Sequence, residues 1–547
     1  MPFLKLHENE SACRIPFTPG QSVREILDAT GTRVRSGCNG SGACGLCRVR
    51  VVAGAVPAPT AKEAYFIDET RLARGVRLAC QVIPEGDLEI EILSPARKSV
   101  WRSLAPDQVY TVREAGGITG TSGTPGPNGI PGGVCNCGTG DEYGVAVDLG
   151  TTQISVSLLS LNTGQRLAGR CGRNPQGESG ADVMTRLIVA SGSPEQATEM
   201  SSRVVSAIGE GLHDIASREG IDLGKVRRLA LAGNTAMIAL LTGRNSGLLL
   251  HPDTWMGTID CLPLDTSGWK TKWEIPAGAT VDVLPPAGGF VGSDLLAGVL
   301  ATGLSESTRP GLLIDFGTNS EIALWDGRTL SVTSAAGGPA FEECGIRCGL
   351  PAEPGAVCQV RVEAGVAECR TIAGEEPCGI CGTGIIDLIA GLLRSGILNE
   401  KGQFAPVFAG TGFVFAGGEP PLDLGKRDVD LFQRAKAAVG AGIQVLTDEA
   451  GIGYPEIDRV FVGGTFGKSL DSINAAAVGL LPPVQQDRIE LCGNTALAGC
   501  ELALLSPVAD RRLRKIGEEA RVIDLAGHRD FEDIYLENLY LRPMEER

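Results

Sequence analysis

Alternating and continuous runs of apolar residues predict a small α/β domain at the start of the chain. The segments FLKLH and ACRIPF are predicted to be paired strands, SVREILDATG a helix, RVRVV a strand and LEIEIL a closing strand. Two strands, a helix and then further strands follow each other as in a β-grasp domain. We therefore expect this fold over residues 1–96, with a cysteine-rich loop between its helix and its third strand.

A second pattern occurs twice in the rest of the chain. The phrases YGVAVDLGTTQISVSLLSL and GLLIDFGTNSEIALW each contain an apolar strand, an aspartate, a Gly-Thr turn and another apolar strand. Each is followed later by a shorter similar phrase, RRLALAGNT and DRVFVGGT respectively. The repetition predicts two copies of one α/β unit, with a cleft between two lobes, over residues 141–547. The lobes are expected near residues 141–305 and 306–510, before a C-terminal extension at 511–547.

Residues 97–140 separate the two predicted domains. Their densest glycine run, AGGITGTSGTPGPNGIPGGVCNCGTG, has almost no side chain that could pack a core, and glycine recurs every third residue from Gly117 to Gly132. So few triplets with little proline cannot form a stable collagen helix. We expect a flexible tether with a root-mean-square span of about 25–30 Å.

Length and charge narrow the range of functions. A chain of 547 residues is longer than one hydrophobic core usually serves, which fits two or three domains. The net charge of −16 argues against nucleic acid or an anionic membrane as the main partner. The first residues lack the apolar region of a secretory signal, and no apolar run approaches the roughly 20 residues that span a bilayer. We therefore expect a cytoplasmic protein.

Three of the 17 cysteines lie together in CNGSGACGLC, and a fourth follows in RLACQV. Cytoplasmic thiols are kept reduced, so metal or redox chemistry explains the cluster better than disulfides. The spacing Cys-x5-Cys-x2-Cys with one remote cysteine suits a [2Fe–2S] cluster, which needs four thiolates. Structural zinc sites usually combine two Cys-x2-Cys pairs, and zinc remains the alternative. The expected metal ligands are Cys38, Cys44, Cys47 and Cys80.

Glycines accompany these cysteines at Gly37, Gly40, Gly42 and Gly45. A loop around a cluster needs unusual backbone angles and close approach of amide groups to the sulfurs. The stretch resembles the [2Fe–2S] ferredoxin family, with the first spacing of adrenodoxin-like and hydroxylase-type members rather than the plant-type x4. The resemblance implies a domain that carries an electron.

The repeated Asp-x-Gly-Thr hairpins suit nucleotide binding. Glycine and threonine in such a turn present backbone amides and a hydroxyl to phosphate oxygens, and an aspartate at the strand end can hold Mg²⁺ through water. The pattern resembles the superfamily of acetate and sugar kinases, heat-shock cognate proteins and actin, which implies ATP and Mg²⁺ as cofactors. The resemblance assigns catalytic roles to Asp148 and Asp315, phosphate binding to Gly150, Thr151, Thr152, Gly317, Thr318 and Asn319, and adenosine binding to Gly463, Gly464 and Phe466.

More specific phrases extend the resemblance over nearly the whole chain. In order, they are RNPQGESGADVMTR, LAGNTAM, GGFVGSD, SAAGGPAFE, GICGTGIIDLIA, AKAAVGAGI and FVGGTFG. Together they are similar to ATP-dependent reductive activators of corrinoid proteins. This resemblance implies reduction of an inactive Co(II) corrinoid protein to Co(I), by an electron from the [2Fe–2S] cluster and coupled to ATP hydrolysis. It also implies three partners: the corrinoid protein of a methyltransferase system, a low-potential electron donor and a second copy of the chain in a homodimer.

Two features depart from that family. The chain is expected to have no room for the additional middle domain that some relatives carry, and it lacks the C-terminal Cys-x2-Cys-x2-Cys clusters of related methylamine-pathway activators. Its later cysteines Cys344, Cys348, Cys378 and Cys381 are weaker candidates for a further metal site.

Three other functions share parts of the pattern. A small-molecule kinase fused to a ferredoxin would need a catalytic base, which no motif supplies. Activators of 2-hydroxyacyl-CoA dehydratases use the same ATPase fold, but they hold a [4Fe–4S] cluster and lack the ferredoxin domain. An electron carrier or nucleotide-binding module would bind nucleotide without ATP-dependent reduction.

Overall fold

The chain divides into two compact units, each described by itself. The computed structural model describes residues 2–7, 13–30, 32, 34–35, 38, 40–95, 101–104, 109–112, 118–121, 142–180, 182–335, 337, 345–417, 421–464 and 469–545. The first unit comprises Met1–Val100 with Gln176–Arg186, and the second comprises Trp101–Pro175 with Leu187–Arg547.

The first unit is built on a five-stranded sheet. Its strands are β1 (Phe3–Leu6), β2 (Cys13–Pro16), β3 (Arg48–Ala53), β4 (Val76–Leu78) and β5 (Leu88–Ile92). Its helices include α1 (Val23–Asp28), α2 (Ala61–Phe66) and α3 (Glu69–Ala73). The strand order is β2-β1-β5-β3-β4, in which β1 and β5 are parallel and the other neighbours antiparallel. The predicted β-grasp fold is confirmed, and the helix and strands expected from the apolar pattern all form.

Local sequence sets the start of α1. Ser22 accepts a hydrogen bond from the backbone N–H of Glu25, and the Glu25 carboxylate accepts one from the Ser22 N–H, so both ends of this capping box are satisfied. Ile26 and Leu27 on the helix are buried in the same core cluster as Leu4 on the sheet. The helix therefore covers one face of the sheet.

The second unit contains most of the chain. Its strands are β6 (Arg102–Ser103), β7 (Val109–Val112), β8 (Ile118–Thr121), β9 (Tyr143–Leu149), β10 (Gln153–Ser160), β11 (Arg166–Arg173), β12 (Val226–Gly233), β13 (Thr280–Val283), β14 (Gly311–Phe316), β15 (Ser320–Trp325), β16 (Leu330–Ala335), β17 (Ala356–Glu363), β18 (Val366–Thr371), β19 (Gly379–Ile380), β20 (Phe413–Ala416), β21 (Leu422–Leu424), β22 (Arg459–Gly464), β23 (Ile489–Gly493) and β24 (Arg521–Val522). The later helices of the chain are α4 (Val183–Ala190), α5 (Pro194–Glu219), α6 (Thr235–Thr242), α7 (Ser267–Lys272), α8 (Ser293–Thr302), α9 (Gly382–Arg394), α10 (Lys426–Ala450), α11 (Ser472–Ala477), α12 (Thr495–Leu505), α13 (Pro507–Glu519) and α14 (Phe531–Glu537).

Two six-stranded sheets in this unit share one plan. Their orders are β13-β12-β9-β10-β11-β6 and β23-β22-β14-β15-β16-β24. In each sheet, the strand that leads into Asp-x-Gly-Thr pairs antiparallel with the next strand and parallel with a later one. In the first sheet β9 pairs with β10 and β12, and in the second β14 pairs with β15 and β22. The predicted duplication is confirmed, including the matching of RRLALAGNT on β12 with DRVFVGGT on β22.

Helices α8 and α12, which follow the edge strands β13 and β23, pack directly on each other. A Cβ added at Gly499 of α12 would lie 1.9 Å from the Ala297 carbonyl oxygen of α8, so only glycine allows this approach of the two backbones. One core cluster contains residues of both sheets and both helices, including Leu159, Leu313 and Leu497. The two halves of the repeat are therefore joined by a common core.

The described part of the second unit also contains three smaller sheets. They are the three-stranded β18-β17-β19 and the pairs β20-β21 and β7-β8. Strand β8 occupies residues that the sequence predicted as irregular tether, and the β7-β8 hairpin forms through local backbone pairing. The tether beyond Thr121, as far as residue 141, lies outside the described residues. Across the described residues, no helix combines the length and the apolar character needed to cross a membrane.

Candidate functional site

The first candidate site is the cysteine loop of the β-grasp unit. The thiols of Cys38 and Cys44 are hydrogen-bonded to each other, and so are those of Cys47 and Cys80. The hydrogen bond from Cys44 lowers the pKa of Cys38 to about 4, and that from Cys47 lowers the pKa of Cys80 to about 7. The remote cysteine of the sequence motif therefore joins the loop cysteines, and the four thiols meet as two pairs.

Backbone groups and glycines shape this loop. The Ala43 N–H donates to Cys38 Sγ at 3.3 Å. Gly40, Gly42 and Gly45 have φ angles of 88°, 78° and 68°, in the left-handed region that favours glycine. A Cβ at Gly45 would also lie 2.2 Å from the Phe66 ring. The expectation of unusual backbone angles is confirmed for these three glycines, while Gly37 lies outside the described residues.

No group of three or more His, Cys, Asp or Glu side chains among the described residues is placed to hold a single metal ion. This holds for Cys348, Cys378 and Cys381, and Cys344 lies outside the described residues. The further metal site considered for these later cysteines thus has no support in the described part of the chain.

The second candidate site is a cavity of about 400 Å³ in the second unit, where the two Asp-x-Gly-Thr hairpins face each other. The hydroxyls of Thr152 and Thr318 meet across it at 2.7 Å. The predicted residues that line it are Asp148, Gly150, Thr151, Thr152, Asp315, Gly317, Thr318, Asn319 and Gly464. Residues from the two copies of the repeat, far apart in the chain, therefore form one site.

The predicted adenosine motif is only partly described. Gly464 lines the cavity with a φ of 78°, and a Cβ there would lie 2.1 Å from the Phe316 carbonyl oxygen, so the position requires glycine. Gly463 pairs with Asp315 in the sheet but is not among the residues that line the cavity. Phe466 lies outside the described residues.

Four carboxylates converge on the cavity: Asp148, Asp294, Asp315 and Glu321. Burial raises the pKa of Asp148 to about 7, of Asp294 to about 8 and of Asp315 to about 6. Burial and the charges of Asp294 and Asp315 raise the pKa of Glu321 well above its usual value. Such a cluster of half-buried and buried carboxylates is suited to a divalent cation, whose charge would favour their ionised forms.

Sheet register explains part of this convergence. Asp315 on β14 is directly opposite Glu321 on β15, so the two side chains emerge from the same face of the sheet. Asp294 is in the first turn of α8, at the carboxyl end of the first sheet. The sequence analysis missed Asp294 and Glu321, although both lie within its quoted phrases GGFVGSD and GLLIDFGTNSEIALW.

Two asparagines that the sequence analysis also missed hold these carboxylates. Asn494 Nδ2 donates to Asp148 Oδ2 at 2.7 Å, and Asn234 Nδ2 donates to Glu321 Oε1 at 3.1 Å. Both asparagines cap helices, α12 and α6 respectively, through their side-chain oxygens. The signal in the sequence is a repeated Gly-Asn-Thr-Ala, once in LAGNTAM and once in LCGNTAL.

Three family models match consecutive parts of the chain. "2Fe-2S iron-sulfur cluster binding domain" matches residues 6–85, "RACo middle region" residues 143–307 and "C-terminal domain of RACo the ASKHA domain" residues 309–547. The middle region of this family is therefore present, and the expectation that the chain has no room for it was wrong. The matched middle region is the stretch predicted from the sequence to be the first lobe. The repeated pattern predicts it as half of the ATPase core because its sheet has the same plan as the sheet of the second lobe.

Similar proteins agree with these matches. "Corrinoid activation enzyme RamQ" of Eubacterium limosum is 30% identical over 419 residues, which are 72% of this chain and 70% of the relative. "[Co(II) methylated amine-specific corrinoid protein] reductase" of Methanosarcina barkeri is 28% identical over 392 residues, 65% of this chain and 68% of the relative.

A solved structure shares the fold over the whole length. "Reductive activator for corrinoid,iron-sulfur protein" covers 100% of this chain and 99% of its own, with a TM-score of 0.66 and 24% identity. The similarity to RamQ and the order of the three matched domains show that the chain belongs to the family of reductive activators of corrinoid proteins.

Proposed function

We propose that this protein is an ATP-dependent reductase of a corrinoid protein, which transfers one electron to inactive Co(II) and forms Co(I). The observation that carries the proposal is the presence, in one chain, of four paired thiols in a ferredoxin fold and of four carboxylates between two Gly-Thr hairpins. The names of the relatives supply the substrate class, a corrinoid protein.

Cys38, Cys44, Cys47 and Cys80 are the proposed ligands of a [2Fe–2S] cluster. Such a cluster takes two thiolates on each of its two irons, and the thiols in this loop meet as two pairs. A structural zinc ion would need the four sulfurs around one point. The cluster would supply the capacity to accept and release one electron at low potential, and the loop would hold it through its thiolates and backbone N–H groups.

The cavity of the second unit is the proposed ATP site. A phosphate oxygen placed between the hairpins could accept hydrogen bonds from both Thr152 and Thr318, which now bond to each other. Asp148 and Asp315 are the proposed catalytic residues, which would hold Mg²⁺ through water. Asp294 and Glu321 share the cavity with them and are proposed to do the same. The proposed nucleotide site is completed by seven further residues of the same motifs: Gly150, Thr151, Gly317, Asn319, Gly463, Gly464 and Phe466.

Coupling between the two sites follows from energetics. ATP can drive an unfavourable electron transfer only if the nucleotide changes the relative stability of two states of the protein. The cavity is formed from both halves of the repeat, so a nucleotide bound there would favour one arrangement of the halves over another. This change is the proposed link between ATP and the reduction of cobalt.

The experiment that tests the function uses the full-length chain, purified without oxygen. It is mixed with a Co(II) corrinoid protein and dithionite, with and without Mg-ATP, and Co(I) is followed by its absorbance. We expect Co(I) only with ATP. Equal amounts of Co(I) with and without ATP would indicate that the protein is an electron carrier that does not use ATP. ATP-dependent phosphorylation of a small molecule would indicate a kinase.

Several further features stay predictions. They are a division into a ferredoxin-like domain at residues 1–96, a connecting segment at 97–140 and an ATPase domain at 141–547, a low-potential electron donor, a homodimer and a cytoplasmic location. Sedimentation of the purified protein would decide the oligomeric state.

A further inference from the structure

The chain first enters the second unit through a short strand, β6, which packs against β11 and α5. Strand β6 pairs with β11, where Arg102 is opposite Cys171 and Ser103 opposite Arg170. Beside it, the Trp101 ring is buried, with 8% of its surface exposed. Every residue that precedes this strand, as far as Val100, belongs to the first unit.

Glycines make room for this strand. A Cβ at Gly172 on β11 would lie 3.0 Å from the Trp101 ring, and one at Gly211 on α5 would lie 2.9 Å from it. A Cβ at Gly169 would likewise come within 3.0 Å of Leu104. Residues 101–104 therefore occupy a specific docking position on β11 and α5.

Arg102 extends from this strand to the nucleotide cavity. Its Nη1 donates to the Ala352 carbonyl oxygen at 3.3 Å, and its guanidinium also contacts the Cys171 thiol. Arg102 is the one Lys or Arg among the described residues that line the cavity. Because the same cavity contains four carboxylates, a triphosphate there needs cationic groups beside Mg²⁺, and a guanidinium fork matches phosphate oxygens.

We propose that Arg102 binds a phosphate of the nucleotide and thereby makes docking of residues 101–104 depend on nucleotide. The inference rests on the proposed ATP site and adds to it a residue from the place where the chain first passes from the first unit to the second. The Trp101 indole N–H is buried without a hydrogen-bond partner, which opposes docking. A phosphate contact of Arg102 would offset that cost, and by linkage the docked strand would bind ATP more tightly than the undocked strand.

Calorimetric titration of the full-length protein with ATP, ADP and adenosine, each with Mg²⁺, tests the contact. Arg102→Gln should weaken ATP binding by about tenfold to a hundredfold, since it removes a charged hydrogen-bond donor. Adenosine binding should not change, and Arg102→Lys should restore part of the affinity for ATP. Unchanged ATP affinity in Arg102→Gln, or an equal loss for adenosine, overturns the proposal.

Arg173 offers a matched control. It is on β11, close to Arg102, and its guanidinium bridges to Glu353 at 3.4 Å, next to Ala352, but it does not line the cavity. Arg173→Gln removes the bridge to Glu353 but leaves the Arg102 guanidinium in the cavity. The affinity of this variant for ATP should therefore stay near that of the wild type. A loss equal to that in Arg102→Gln would mean that Arg102 acts only as a structural bridge and would refute phosphate binding.

Hydrogen exchange of residues 101–104 tests the dependence of docking on nucleotide. Mg-ATP should slow exchange in the wild type and in Arg173→Gln, but not in Arg102→Gln. Exchange that ATP leaves unchanged in the wild type contradicts nucleotide-dependent docking. If the wild type binds no nucleotide, the proposed function fails as well. If it binds ATP and forms Co(I) while Arg102→Gln behaves identically, only this inference fails.

Discussion

Asn494 donates a hydrogen bond to Asp148 at 2.7 Å, across 346 positions of the chain. The bond joins the helix cap that follows the edge strand β23 of one sheet to the Asp-x-Gly-Thr hairpin of the other. Asn234 makes the reciprocal connection, from the first half of the repeat to Glu321 in the second. Each half of the repeat in the second unit therefore holds a carboxylate of the other half with a side-chain amide.

Substituting Asn494 separates its two roles. Asn494→Ala loses both the α12 cap and the bond to Asp148, and we expect it to destabilise the second unit by about 1–3 kcal/mol. Asn494→Ser keeps a capping oxygen but is too short to reach Asp148, so it should weaken Mg-ATP binding with a smaller loss of stability. Thermal unfolding with and without Mg-ATP measures both effects. Gln485→Ala is the control, because that side chain is exposed and makes no capping hydrogen bond. An equal response of all three variants would contradict the assignment.

The cysteine pairs predict the composition of the cluster. Anaerobically purified wild type should contain about two irons and two acid-labile sulfides per chain. Cys44→Ser removes one thiolate of the Cys38 pair, so it should lose most of the iron and the visible absorption. Cys378→Ser, at an exposed cysteine of the second unit, should retain both. Stoichiometric zinc without sulfide in the wild type would show that the site is structural.

Asp315 should separate electron storage from electron delivery. Asp315→Ala removes a carboxylate of the cavity but leaves the cysteine unit intact, so dithionite should still bleach the cluster. ATP-dependent formation of Co(I) should be lost, because the nucleotide site no longer holds Mg²⁺. The exposed Asp487→Ala serves as a control that keeps full activity. Equal Co(I) yields from wild type and Asp315→Ala would refute the role of the cavity.

The raised carboxyl pKa values predict how stability depends on pH. Asp148, Asp294 and Asp315 have pKa values of about 7, 8 and 6 against an ordinary 3.8, so the folded protein binds more protons than the unfolded chain between about pH 4 and 8. The stability of the nucleotide-free protein should therefore fall as pH rises through this window. Thermal unfolding between pH 5 and 8 measures the slope, and Asp294→Asn should reduce it. A stability that rises over the same range would contradict the shifts.

The same groups predict the pH dependence of ligand binding. Mg²⁺ favours ionised carboxylates, so binding of Mg-ATP should release protons and strengthen from about pH 6 to 8. Calorimetry in two buffers of different ionisation enthalpy counts the protons released. Asp294→Asn should release fewer, while the protons that come from ATP itself should be the same in both proteins.

Local sequence determined the secondary-structure elements of this protein and supplied the candidate residues for its two sites. The apolar patterns of FLKLH and LEIEIL, the capping residue Ser22 and the Gly-Thr turns act over a few neighbouring residues, so strands, helix starts and hairpins could be predicted without tertiary information. The spacing of Cys38, Cys44 and Cys47 likewise predicts a metal-binding loop, because three of the four thiols are close in the chain.

Only the tertiary structure decided which distant residues share the cavity of the second unit. Glu321 joins Asp315 through antiparallel register, while Asp294 and Asn494 arrive on helices that follow the edge strands of the two sheets. Arg102 is on a two-residue strand, and glycines of other elements leave the space in which its neighbours Trp101 and Leu104 pack. Asn494 has a signal in the repeated Gly-Asn-Thr-Ala, but Asp294, Glu321 and Arg102 have no local pattern that distinguishes them from ordinary polar residues. Their role comes from packing over hundreds of residues, which brings buried charges together and so changes their pKa values and the ligands that they can bind.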